Sequence, residues 1–459
     1  MVDGNAVLWA RKEFGGVVLG DERRNRRLSK IACGVAQNVG GPISMCCGTM
    51  AAQLVSRFFD RKEVTLDSVL ESHIEQTVKR CAGVERVLAV QDTCYLDFTS
   101  HIALEGLGHI TSSPDSKGLL MHSILAVDID RLPLGILGIN IWARKTDEYG
   151  KKATRKQREV KDKESNKWLI GLRQAESALP EDKPLLVIGD RESDFFALFA
   201  AKRRPNTDLL VRAAQNRVVV DPEYRLLYEA LEGAGVLGEY ELDVPRQGKR
   251  KARKAKMQVK AFSVTIKPPA NRTPDIPDEP VEVYCVCARE IDVPEGVTPL
   301  NWILLTTLPV KTMEDALYII RAYSVRWVIE EFHKVLKSGC KVENLQFETL
   351  ERMIPAIGVL SVVAWRVLYI SKWARTSPDA AATEIATGLE CKVLRAWMKK
   401  KRKRGRKIET VRDFVRAVAM LGGFMGRKSD GEPGTKTLWQ GLRRLEDLVT
   451  GYSLSQDAQ

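Results

Sequence analysis

No CxxC pair occurs among the nine cysteines of this chain, so the common zinc-knuckle and dithiol arrangements are excluded. Cys46 and Cys47 are adjacent, and Cys285 and Cys287 lie two apart, the spacing of one strand face. With an odd count and no signal peptide, free thiols in a reducing cytoplasm are expected. No internal repeat is present. The longest apolar run, Met353 to Trp365, is interrupted by Pro355 and bounded by Arg352 and Arg366, too short to span a bilayer, so it is expected as a buried helix in a protein without membrane association. Acidic residues are in deficit: 72 Lys and Arg against 59 Asp and Glu give a net charge of +13 and a pI near 9.2. That balance points to a polyanionic partner and leaves nucleic acid and an anionic membrane surface both open. Length, 459 residues, and 44% hydrophobic content describe a folded chain of two or three domains.

The most informative stretch is Tyr323 to Lys337, YSVRWVIEEFHKVLK. Drawn as one helix at about 3.6 residues per turn, Tyr323, Arg326, Glu330 and Lys337 share a stripe. Val325, Ile329, Phe332 and Leu336 form a second, apolar one. Glu331 points away from the charged face. The stripe suits a carboxylate metal ligand held beside phosphates; its ordinary reading is a solvated helix with i,i+4 ion pairs.

Around this stretch the pattern alternates. The first eighty or so residues read as helices. Asp21 is an expected N-cap for a helix through about Val35, with Leu28, Ile31 and Val35 inward, and further helices run from about Ala51 and from Leu66 to Cys81. Short apolar runs follow: Val87–Val90, Leu119–Asp128, Leu134–Trp142, then Leu185–Ile188 and Leu209–Arg212, with a charged helix expected from about Arg155 to Leu179. Strands alternating with helices predict an α/β layer with a mixed sheet. Asp92 and Asp190 each follow a run of four apolar residues, where open α/β sheets place ligand groups. Each is equally readable as a turn or cap residue. Together with Glu330 they make three carboxylates that need a hard cation to converge. With oxygen ligands and no His/Cys set, that cation is magnesium or manganese. Residues from about 213 to 299 read as a β-rich insertion whose basic stretch, RQGKRKARKAKMQVK, is a candidate phosphate-backbone loop. Trp302, in the apolar run after it, is readable as core. The last hundred residues are helical around a basic break, KKKRKRGRK at 399–407, and close on an amphipathic helix from Leu438 to Val449, expected to pack within the protomer.

Tyr-x2-Arg-x3-Glu-x6-Lys at 323, 326, 330 and 337 resembles the YREK signature of bacterial cut-and-paste DDE transposases. Further blocks resemble that family in order: LGDERRNRRL at 19–28, QDTCYLDF at 91–98, KESNKWL at 163–169, GDRESD at 189–194, TPLNWILLT at 298–306, RWVIEEFHK at 326–334 and LGGFMGRK at 421–428. The resemblance implies an α/β, RNase H-like catalytic core with a β-rich insertion, plus helical N-terminal and C-terminal domains. The implied segments are 1–82 for DNA-end recognition, 83–213 and 300–372 for the core, 214–299 for the insertion and 373–459 for dimerisation.

It further implies Asp92, Asp190 and Glu330 as catalytic and metal-binding residues for two Mg2+ ions, with Mn2+ able to substitute. Tyr323, Arg326 and Lys337 would grip a phosphate near the DNA end, and Trp302 would stack an extruded base during hairpin formation. Arg212, Arg27, Arg57, His333 and Lys334 fall at further expected DNA contacts. The implied partners are double-stranded DNA, as element ends and target, and a second subunit in a synaptic homodimer, with no nucleotide cofactor. Two alternatives remain at this point: a metal-dependent nuclease without strand transfer, and a non-catalytic DNA-end-binding regulator.

Overall fold

Ahead of the first strand the chain is helical: α1 (Ala6–Phe14), α2 (Glu22–Gln37), α3 (Ala52–Phe59) and α4 (Leu66–Cys81). Asp21 caps α2, its carboxylate accepting the Arg23 N–H at 2.7 Å, and Thr65 and Ser68 form a reciprocal capping box on α4. Leu28, Ile31 and Val35 are buried, as their helical spacing predicts. The computed structural model describes residues 6–44, 52–111, 113, 115–145, 158–245, 252–400, 407–427 and 430–457. The Cys46–Cys47 pair, the start of the helix expected from Arg155, the tip of the insertion's basic loop and most of the 399–407 run fall outside those residues.

Strands then alternate with helices. β1 (Val87–Asp97), β2 (Gly108–His109), β3 (Lys117–Val127) and β4 (Pro133–Trp142) precede α5 (Asn166–Ala178). After them come β5 (Leu185–Gly189), α6 (Phe196–Phe199), β6 (Thr207–Arg212) and α7 (Leu227–Gly233). The insertion supplies β7 (Val236–Val244), β8 (Arg253–Ile266) and β9 (Val281–Ile291), and β10 (Asn301–Thr306) returns to the core. Helices α8 (Met313–Ser324), α9 (Trp327–Lys334), α10 (Leu350–Thr376), α11 (Gly388–Lys400), α12 (Val411–Leu421) and α13 (Thr435–Asp457) complete the chain.

These elements form two compact units, each built from separate stretches of sequence. One unit takes residues 85–92 and 150–327. Its sheet is mixed. β1 pairs parallel with β5, and β5 parallel with β6, while β10, β9, β8 and β7 continue from β6 with antiparallel neighbours. Strands β5 and β6 are nearly continuous apolar runs, as parallel strands covered on both faces require. Helix α5 packs on β5, α7 on β8, and α8 on β6, β8 and β9.

The other unit takes residues 1–84, 93–149 and 328–459. The later residues of β1 run beside β3, which also pairs with β2 and β4. Helix α10 is its core, packed against α2, α3, α4, β4, α12 and α13. Its apolar window has the length and mean hydropathy, 1.9, of a membrane span, yet 94% of it is buried inside the fold, so it is the core helix expected from Met353–Trp365. On α13, Leu438 and Leu445 are buried and Leu448 is exposed, so the closing helix packs part of its apolar stripe within the protomer.

Candidate active site

The register Val87↔Leu185 through Val90↔Ile188 sets β1 and β5 side by side and in step. Asp92 and Asp190 each stand two residues beyond the last couple, at the carboxyl ends of two parallel neighbours. Asp92 does not follow its strand, however, because β1 runs on to Asp97. Past Val90 the strand leaves β5, and its later residues pair beside β3, ending where Phe98 donates to the Lys117 carbonyl at 3.0 Å.

Asp190 turns the chain sharply. Its carboxylate accepts the Glu192 N–H at 2.8 Å and its carbonyl accepts the Ser193 hydroxyl at 2.6 Å. That turn requires Gly189, since a Cβ there would lie 2.2 Å from Ser193 Oγ and 3.1 Å from the Trp168 ring. Burial pushes the Asp190 carboxyl above its ordinary range and the Glu192 charge adds to this, while the Glu192 N–H, Arg326 and Lys167 pull the other way. Lys167 is itself buried and reaches Glu192 at 3.2 Å and Glu164 at 3.8 Å.

The second aspartate of the GDRESD block has a different task. Asp194 is 2% exposed and accepts from Arg217 Nε at 3.0 Å, Ala214 N–H at 2.7 Å and Gln215 N–H at 3.0 Å. It pins the 213–217 turn, so of the block's two aspartates Asp190 is the one left past the strand end.

Arg326 Nη1 stands 4.0 Å from Asp92 Oδ2, with the guanidinium 5.1 Å over the Trp327 ring. Tyr323 is 2% exposed, and burial raises its hydroxyl pKa against the pull of Arg326 and Arg212. Its ring meets half-buried Trp302 edge to face, centroids 5.6 Å apart at 72°. Arg212 donates to the Asn301 carbonyl at 3.3 Å. Asp92, Asp190, Arg326, Tyr323, Trp302 and Arg212 therefore belong to one unit.

The single helix expected over Tyr323–Lys337 is not formed. Helix α8 ends at Ser324, whose hydroxyl donates to the Arg321 carbonyl at 2.7 Å, and the next N–H groups tighten to i−3 carbonyls: Val325 to Ala322 at 3.1 Å and Arg326 to Tyr323 at 3.0 Å. Helix α9 then restarts, and Val335–Gly339 widens to π geometry, where Cys340 N–H reaches the Val335 carbonyl at 2.8 Å. The apolar stripe survives the breaks: Val325, Ile329, Phe332 and Leu336 are all fully buried.

Glu330 and Lys337 belong to the other unit. Glu330 is half-buried on α9, and Lys337 donates to the Tyr95 carbonyl at 2.7 Å and pairs with Glu343 at 3.0 Å. His333, also expected at the DNA, is buried, its Nε2 is 3.1 Å from Ser123 Oγ, and burial lowers its pKa to about 3. A neutral, enclosed imidazole has no surface for a phosphate. Lys334 beside it is exposed, as is Arg57 on α3, and Arg27 on α2 is half-buried.

The donor set at the strand ends is all oxygen and half-buried, which fits a hard divalent ion and not a thiolate- or imidazole-selecting one. No group of three or more His, Cys, Asp and Glu at metal-holding spacing occurs among the described residues; Asp92 and Asp190 are a pair. Sequence reasoning missed Lys167, although it lies in the KESNKWL block, and the role of Asp194; a lysine buried on a helix face has no local signature.

Residues 121–361 match the family described as the transposase DDE domain, more than half of the chain. The chain belongs to the DDE transposases. Residues 6–64 match the transposase DNA-binding family, and residues 362–457 the transposase Tn5 dimerisation domain family. The transposase thus carries a DNA-binding segment, an RNase H-like α/β catalytic core of mixed sheet and flanking helices, and a dimerisation segment, and belongs to a family dependent on divalent metal. Asp190 and Glu330 lie inside the DDE match and Asp92 ahead of it. A solved structure described as a piggyBac transposase synaptic complex with hairpin DNA is similar over 97% of this chain and 74% of its own, at 8% identity and a TM-score of 0.34, a likeness too slight to build on.

Proposed function

We propose that this transposase binds element ends as a paired dimer, excises the element through a hairpin intermediate and joins it to target DNA, in the manner of the YREK-signature insertion-sequence enzymes. The observation that carries the reading is the placement of Asp92 and Asp190 each two residues past the paired stretch of parallel β1 and β5, with Arg326 4.0 Å from Asp92, in a chain of the DDE family.

In this reading Asp92 and Asp190, joined by Glu330 one helical turn past Arg326 in sequence, hold two Mg2+ ions, for which Mn2+ can substitute. When bound, such ions activate a water or 3′ hydroxyl and stabilise the departing oxygen of the phosphodiester. Arg326 offsets the charge of Asp92 and faces the negative charge of the scissile phosphate. A preformed cation needs no reorganisation as charge develops there. Tyr323 and Lys337 grip the neighbouring phosphate, and Trp302 offers its ring to an unpaired base.

The test is incubation of the full-length protein with linear DNA carrying element ends, with and without magnesium, resolving nicked, hairpin and joined species. All three are expected with metal, and none with Asp190→Asn. Nicks without any joined product would favour a nuclease, and normal cutting by Asp190→Asn would end the proposal.

A further inference from the structure

Successive residues of β10 face opposite sides of the sheet, so Asn301 and Ile303 turn away from the side where Trp302 meets Tyr323. On their side, under α7, is a cleft of about 260 Å³ at the carboxyl ends of β5 and β6. Arg191, Arg289, Tyr228, Leu231 and Ile303 line it, and Arg212, level with Leu304 and so on the Trp302 side of the sheet, borders it only at the end of β6. Among the described residues of its wall, Glu232 is the one acid. Its two oxygens meet Arg289 Nη1 and Nη2 at 3.4 and 2.8 Å, a planar two-point contact of the kind a phosphate makes with arginine. Both side chains are substantially exposed, Arg289 at 42% and Glu232 at 61%, so their pairing adds little to folding and is open to exchange.

We infer that this cleft is a second DNA-phosphate site, in which Arg289 and Arg191 receive one backbone phosphate and Glu232 holds Arg289 until that phosphate displaces it. The inference rests on the transposase reading and adds a contact on the face of the sheet opposite Trp302. Two cations, Arg191 and Arg289, against one carboxylate leave the cleft net positive, complementary to a phosphodiester. The chemistry is shared by an element end and by target DNA. Glu232 makes the site self-competing: removing the acid strengthens binding, and removing Arg289 weakens it.

Fluorescence anisotropy of the full-length protein without metal, over a salt series, tests this with an element-end duplex and a duplex of unrelated sequence. Arg289→Gln is expected to weaken binding about threefold to tenfold and to lower the salt slope by about one. Glu232→Gln is expected to tighten binding severalfold, an effect that misfolding does not produce. Loss by Arg289→Gln on the end duplex alone assigns the phosphate to the element; equal loss on both assigns it to any backbone. Wild-type affinity in both variants would overturn the site while leaving the catalytic reading standing. Absence of DNA binding by the unaltered protein would overturn both.

Discussion

The Arg326 guanidinium lies 4.0 Å from the Asp92 carboxylate, with both side chains largely enclosed, at 10% and 20% exposure. A charge pair this close and this shielded from water is set for electrostatic work, since screening is weak there. Arg326→Ala is expected to lower end cleavage by about a hundredfold or more. Arg326→Lys is expected to restore only part of it, because an ammonium cannot reproduce the planar fork. Single-turnover cleavage with metal checks both, and cleavage by Arg326→Ala within about twofold of wild type would remove Arg326 from the catalytic machinery.

The two aspartates of GDRESD separate by measurement. Asp194→Ala strips a buried carboxylate from Arg217 and two backbone N–H groups and is expected to cost about 3 to 5 kcal/mol of stability. Asp190→Asn removes a charge that burial already disfavours, so its urea midpoint should equal or exceed that of wild type while cleavage is lost. Equal midpoints for the two variants would contradict this division of labour.

What could be read ahead of the structure was local. The Asp21 cap and the helix at Leu66–Cys81 are local features, and the structure has them there. The strand at Leu185–Ile188 announced itself by a short apolar run. The break at Ser324 did not, because a serine that diverts one carbonyl looks like any helical serine until its hydroxyl is placed. Asp92 could not be set inside a longer strand, since β1 continues only by finding β3 beside it. Among site features, the Arg289–Glu232 pair was invisible for a plainer reason: its members are 57 residues apart and meet only through the fold of α7 on the sheet.

Trp302 is half-buried and meets the Tyr323 ring at 72°, so part of its side chain stays open to a base. Stacking of one base on an aromatic ring is worth about 1 to 3 kcal/mol, a factor of roughly five to a hundred and fifty. Trp302→Ala is therefore expected to lower hairpin yield about tenfold relative to first-strand nicking, with Trp302→Phe between the two. Time courses on denaturing gels read both steps, and equal loss in nicking and hairpin formation would make Trp302 a packing residue.

Acid sensitivity should arise in the helical part of the unit that contains α10. Ile136 N–H donates to His73 Nε2 at 3.1 Å, so that nitrogen carries a lone pair and the ring is neutral, with Nδ1–H donating to Glu13 at 2.6 Å. Arg80 completes the group, pairing with Glu13 at 2.7 Å and lying 4.4 Å over Trp365. Burial holds the His73 pKa below its ordinary 6.5 despite Glu13. Burial raises Glu13, but its hydrogen bonds from His73 and Arg80 and the Arg80 charge outweigh that and leave it below 4.5. Below pH 6.5 the unfolded chain takes up a proton on His73 that the folded chain refuses, so stability falls as pH drops beneath that value. Glu13 extends the loss below pH 4.5. Urea midpoints measured from pH 8 to pH 5 should decline below about 6.5, and His73→Gln, though less stable throughout, should flatten that decline. An unchanged slope in the variant would place the acid sensitivity elsewhere.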